Sequence, residues 1–194
     1  MGNFSKVFSI AVDANEFLIL QESLLELSMQ ATTDEIIFFD GSSKKASWTK
    51  MAVHWVNHRG DEILKVPDIA GFGATVFVVS EKIADMLNES LDDSCELLPI
   101  SLKGETWFIL NVVNQQNAID EDLTVRIMRN GRPSRTRLFE SLVFKKSNIT
   151  TKGLFRVKGA GLATYCTNED GGFYDRVMKN GLLGLINKEI TLSE

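Results

Sequence analysis

His54 and His58 are the two histidines of the chain, and their four-residue separation is the spacing of a two-histidine metal face. A zinc-protease helix also requires a glutamate directly after the first histidine, where Trp55 stands, and no third ligand presents itself nearby. Both histidines fit an exposed strand face, so no metal is expected. With no other histidine in the chain, a serine or cysteine nucleophile has no further imidazole to act as its base. Cys95 and Cys166 lie far apart and outside any C-x-x-C spacing, which argues against a disulfide framework and against a thiolate metal site. Gly159-Ala-Gly161 opens like a dinucleotide fingerprint, but Thr164 occupies the third glycine position and strand, not helix, is expected to follow. No glycine-rich loop runs into Lys-Ser or Lys-Thr, so there is no phosphate cradle of that kind. Asp92-Asp93 and Asp120-Glu121-Asp122 are adjacent carboxylates in polar segments, where such residues are ordinarily solvated. The inventory predicts no catalytic residues, no cofactor and no metal: this sequence reads as a non-enzyme.

Charge is distributed unevenly. Between Val125 and Lys158 stand ten basic residues and one acid, Glu140, giving +9, whereas the whole chain carries −5 and the remainder therefore −14. Arg126, Arg129, Arg132, Arg135 and Arg137 make this segment a candidate contact for anions. The 44% apolar and 24% charged composition is that of an ordinary globular protein. No apolar run approaches the roughly 18 residues of a membrane helix, and the first twenty residues lack a secretory layout. A soluble protein of the cytoplasm, with no membrane partner, is expected.

Several local patterns predict the elements that would position these residues. Asp13-Ala-Asn-Glu16 has the form of a helix start, and Phe17, Leu20, Leu24 and Leu27 continue it at helical spacing to Met29. Residues 35–39 are β-rich and enter a turn at Asp40-Gly41. Met51, Val53 and Trp55 alternate with polar partners, as in a half-buried strand. Residues 74–79 are apolar on both faces, and Ser80 can cap a helix running to Glu89. Glu96–Ser101 and Thr106–Val113 form a hairpin around Lys103-Gly104. Arg129–Arg135 reads as an arginine-rich loop. Strands follow at Leu138–Lys145, Leu154–Lys158 and Leu162–Cys166, then a helix over Asn168–Lys179 ending at Asn180-Gly181, then a short strand over Leu183–Ile186. The expected fold is α+β: a mixed, largely antiparallel sheet with helices at the N-terminus, after Ser80 and near the C-terminus. Residues 1–194 read as a single domain, with a looser N-terminal lobe, residues 1–71, as the alternative boundary.

One ordered set of motifs is more specific. Pro67-Asp-Ile69 leads to Val78-Val-Ser-Glu-Lys-Ile-Ala-Asp-Met-Leu87, then Glu96-Leu-Leu-Pro-Ile100, Trp107-Phe-Ile-Leu-Asn-Val-Val113 and Ala118-Ile-Asp120. Leu154-Phe-Arg-Val157 and Gly181-Leu-Leu-Gly-Leu185 follow. This order resembles an immunity-protein family of bacterial polymorphic toxin systems, formerly a domain of unknown function, over about residues 66–188. The N-terminal third and the segment Arg126–Arg137 lie outside the pattern. The resemblance supplies no catalytic residues. It implies a cytoplasmic protein that binds a cognate toxin and blocks it by stoichiometric contact, the two forming an effector–immunity pair.

Specificity in such a pair requires charged and aromatic surface features on a stable scaffold. The expected contacts are Asp120, Glu121 and Asp122 in an acidic loop, with Arg132, Arg135 and Trp48 as the further candidates. The acidic loop is preferred because toxins that attack nucleic acid are commonly basic. Two other readings stand beside this one: a small nucleic-acid-binding regulator using the Arg126–Arg137 loop, which the −14 elsewhere disfavours, and an enzyme that reverses a toxin's modification.

Overall fold

The structure, a computed structural model, describes residues 3–23, 38–60, 62–73, 75–134 and 138–194. Its centre is a closed barrel. Ile19–Glu22 (β2), Ala52–Val56 (β3), Cys95–Leu102 (β6), Glu105–Val112 (β7), Val76–Ser80 (β5) and Ile69–Phe72 (β4) follow one another around it in that order, and β4 returns to β2. The pairings β3–β6 and β4–β2 are parallel and the other four antiparallel. The long β6–β7 hairpin turns at Lys103-Gly104, both at positive φ, which is the geometry of a two-residue turn whose twist matches its strands.

Period-two alternation divides the apolar residues of these strands between two cores. Val76 and Val78 join Leu20, Val53, Ala70, Leu98, Ile100 and Ile109 in one. Phe77 and Val79, on the opposite face of the same strand, join Ile69, Leu110 and Val112 in the other. A strand buried on both faces is therefore central, as its continuous apolar run predicts. The second core is covered by helix α1 (Glu81–Leu91), which Ser80 caps by accepting the Ile83 N–H, and which buries Ile83, Ala84, Leu87 and Leu91 on one side. Helix α2 (Phe173–Lys179) adds Phe173 and Val177.

A four-stranded sheet packs on this side in the order Val143–Lys145 (β13), Leu185–Ser193 (β16), Val7–Val12 (β1) and Thr164–Thr167 (β15). β1 is antiparallel to β15 and β16, so chain start and chain end share one sheet, and its Phe8 and Ile10 enter the core shared with the barrel. A third cluster lies beneath the sheet around Phe144, Phe155 and Tyr165. Three short ribbons complete the fold: Gln115–Gln116 (β8) with Arg156–Val157 (β14), Val125–Arg126 (β9) with Phe139–Ser141 (β12), and Met128–Arg129 (β10) with Arg132–Pro133 (β11).

The expected α+β class is not what forms. The fold is sheet-rich, and two α-helices occur among the described residues. The expected N-terminal helix is the main error. Asp13 does cap a turn: its carboxylate accepts the N–H groups of Asn15 and Glu16, and Phe17 N–H reaches the Asp13 carbonyl. One turn later Leu18 N–H bonds the Lys65 carbonyl and the chain enters the barrel as β2, with Leu20 fully buried. Leu20 satisfies a helical spacing and a strand alternation equally, so periodicity alone could not decide. The remainder of that expected helix, residues 24–29, and the start of the strand expected over 35–39 lie outside the described residues. Two further differences are smaller. The C-terminal helix begins at Phe173 instead of Asn168, and the final strand runs nine residues instead of four.

Candidate functional site

The residue sets with chemical potential that the sequence singles out occupy separate elements of the fold. His54 lies on the exposed face of β3 between the buried Met51–Val53 side and Trp55, and His58 is exposed in the turn that follows. Among the described residues no group of three or more His, Cys, Asp or Glu side chains is placed to hold a metal ion. Burial pushes the Cys95 thiol up to about 12 and the fully buried Cys166 thiol higher still, so neither supplies a thiolate near neutral pH. The Gly159–Gly161 stretch is a turn leading into β15. Asp92 and Asp93, after α1, line an open polar cleft of about 480 Å³ with Ser94, Asn114, Thr151 and Glu169. Asp92 turns its carboxylate back to the Ser94 N–H.

Trp48 belongs to the wall of the barrel core. Its indole N–H donates to the Pro99 carbonyl at 2.9 Å and its ring leans on Phe39, leaving it half-buried. Trp55 and Trp107 meet edge to face at 5.6 Å on the same core. A carboxylate on β6 fixes the nearby 42–44 segment: Glu96 accepts from Ser43 Oγ, Lys44 N–H and Asn111 Nδ2, and Asn111 also donates to the Ser42 carbonyl. Burial alone would raise Glu96, but these donors hold it below its ordinary value.

The acidic loop is divided: Asp120 turns its carboxylate into the molecule, whereas Glu121 and Asp122 remain exposed. Asp120 is 5% exposed; its carboxylate accepts the Ser193 hydroxyl at 2.7 Å and the N–H groups of Asp122 and Leu123. Glu121 is ion-paired to Arg126 at 2.8 Å, and Asp122 reaches Lys145 at 4.0 Å. Asp120 is thus a clamp between the loop and the last strand. The Ser193 hydroxyl above all, then the backbone donors and the Lys145 charge, hold its carboxyl below the usual range against the opposing effect of desolvation. The unfolded chain therefore binds this proton more tightly than the folded one. The stability Asp120 contributes is fully present above the unfolded carboxyl's pKa of about 4 and is lost as pH falls through the lower folded value. D120N should have a lower urea midpoint than the wild type at pH 7, and the two midpoints should converge below about pH 4. A constant gap from pH 7 to pH 3 would contradict this role.

The arginine segment is a projecting ribbon, not the loop expected. Val125 pairs with Ser141 and Arg126 with Phe139 at its base; Ile127 N–H donates to the Leu138 carbonyl and Ser134 N–H to the Ile127 carbonyl; Met128 pairs with Pro133 and Arg129 with Arg132 at its tip. Asn130 and Gly131, at φ of 52° and 74°, close it in the geometry that favours Asn-Gly. That dipeptide was the signal for a hairpin; Pro133 and the polar flanks concealed it. The ribbon pairs with neither large sheet. Its base is fixed by Arg126, which stacks 5.1 Å above Phe139 while paired to Glu121, and by Leu138 beside the Gly161 turn. Arg129 and Arg132 at the tip are exposed, and no described acid neutralises either. Arg135 and Arg137 lie outside the described residues.

No helix of the described residues is long and apolar enough to cross a membrane. The chain matches no protein-family model, and no curated protein is significantly similar to it.

Proposed function

We propose that the protein is an immunity protein that binds a cognate bacterial toxin in the cytoplasm and silences it by stoichiometric protein–protein contact, without chemistry of its own. One observation carries this reading: most of the residues that resemble the immunity family are structural, and a segment outside that resemblance is presented to solvent. Ser80 caps α1; Leu98 and Ile109 fill the barrel core; Asp120 clamps the last strand; Leu154, Phe155, Arg156 and Val157 are all buried; Gly184 packs against the backbone of β4. Residues 126–134, by contrast, belong to the self-paired ribbon with exposed cations at its tip. A shared interior bearing an individual surface is the division of labour that specific recognition requires.

The test is protection. The polypeptide encoded by the gene next to this one is expressed in a bacterial host with and without this chain. The expected result is growth arrest that is relieved when the chain is present and returns with a destabilised variant. A neighbour that causes no arrest, or arrest that this chain leaves unchanged, would remove the reading.

A further inference from the structure

Resting on the toxin-binding reading for the partner being a protein, we infer that the ribbon formed by residues 125–134 and 138–141 is the docking element and that its occupant is an acidic, partly apolar protein surface. The described residues of the ribbon carry Arg126, Arg129 and Arg132, no lysine, and a single acid, Glu140. Arginine is enriched and lysine depleted at protein interfaces, because the guanidinium is weakly hydrated and pairs with carboxylates in a two-pronged fashion. Arg129 and Arg132 are register partners, so the hairpin holds two like charges directly opposite each other. Such a pair opposes the folded hairpin when alone and favours it once a carboxylate sits between the two.

Apolar groups lie along the ribbon and beside its base. Leu123, Val125, Met128 and Leu162 are all about half exposed, Leu162 in the turn beside Leu138 at the ribbon's base. Charges alone would suffice to keep an edge from aggregating, whereas exposed aliphatic side chains work against that purpose. They suit a contact whose charged centre is sealed by apolar neighbours. The anchoring of Arg126 by Glu121 and Phe139 orders the base before any partner arrives, which lowers the entropy lost on docking. The acidic loop does not suit the same partner: Asp120 is buried against Ser193, and Glu121 and Asp122, although exposed, would repel an acidic surface. Nucleic acid fits less well: the chain outside residues 125–158 carries −14, and the one aromatic ring described in the ribbon, Phe139, lies beneath Arg126.

The experiment compares the wild type with R129E/R132E, and with R129Q/R132Q should the first variant fail to fold. The probes are a random glutamate–tyrosine copolymer, polyglutamate and a 20-base-pair DNA duplex, all at 0.15 M salt. The wild type should bind the copolymer at least about tenfold tighter than either variant does, and more tightly than it binds polyglutamate or duplex. Equal copolymer binding by wild type and variant overturns the inference, as does a preference for duplex. A dimer of the wild type that dissolves in the variant assigns the ribbon to a second copy of this chain and overturns it as well. The neighbouring-gene polypeptide separates the two claims. If it binds wild type and variant equally, the docking assignment falls and the toxin reading stands. If it binds neither while the copolymer discriminates, the toxin reading falls and the acidic-surface assignment stands.

Discussion

Gly184→Ala is expected to prevent stable folding. At φ of +116° this residue occupies backbone space that L side chains rarely enter, and a Cβ built there would lie 2.1 Å from the Ile69 carbonyl oxygen and 2.7 Å from Pro67 Cβ. The close approach is set by hydrogen bonds on both sides: Asp13 N–H donates to the Gly184 carbonyl, and the N–H groups of Asp68 and Ile69 donate to the Leu183 carbonyl. No flexible side chain can yield there, because the obstructing atom is the backbone of β4, a strand that closes the barrel. Strain and overpacking together should cost on the order of 4 kcal/mol. Gly181→Ala is the control. Its φ of +62° is also left-handed, but nothing stands within 4 Å of its Cβ position, so a loss of about 1 kcal/mol is expected. Urea denaturation of the two variants measures the difference; similar small losses would mean that the β4 contact is not as tight as described.

Phe155→Ala should be nearly as damaging. Phe155 is fully buried, its ring 5.8 Å from that of Tyr165, which in turn meets Phe144 edge to face at 4.9 Å. Its backbone exchanges both hydrogen bonds with Tyr165, so the ring is fixed between the four-stranded sheet and the segment carrying β14. Truncation leaves a cavity that these ordered neighbours cannot fill, and about 3–5 kcal/mol should be lost. The fall should appear in the denaturation midpoint with an unchanged slope. A loss below about 1 kcal/mol would show that the aromatic cluster relaxes into the space.

Local signals in the sequence were legible where one short-range interaction decides the geometry. The Ser80 cap, the Lys103-Gly104 turn, the alternation through Met51, Val53 and His54, and the doubly apolar strand at Val76–Val79 all form as their residues dictate. Barrel closure was not legible. It rests on Ile19 and Leu20 beside Gly71 and Phe72, and on Ala52 and Val53 beside Ser101 and Leu102: short parallel contacts between distant segments, with no local pattern to announce them. The same tertiary pairing turned the chain after Phe17 from helix into strand. The final strand was underestimated because Asn187, Lys188 and Glu189 are exposed along it, so hydrophobicity marks only its ends. At the candidate surface, the charge of the arginine segment was plain in the sequence. That it forms a ribbon, and that the acidic loop is engaged by Arg126, Lys145 and Ser193, depended on contacts no spacing rule supplies.

The central claim is silencing by stoichiometric contact, and a titration tests it most directly. The purified neighbouring-gene toxin, held well above its dissociation constant, is assayed for its own activity as this protein is added. The account predicts a linear fall that reaches the baseline at one equivalent, with the toxin recovered intact and active after denaturing separation and refolding. Loss of toxin activity at a small fraction of an equivalent, or activity unchanged at several equivalents, would contradict it.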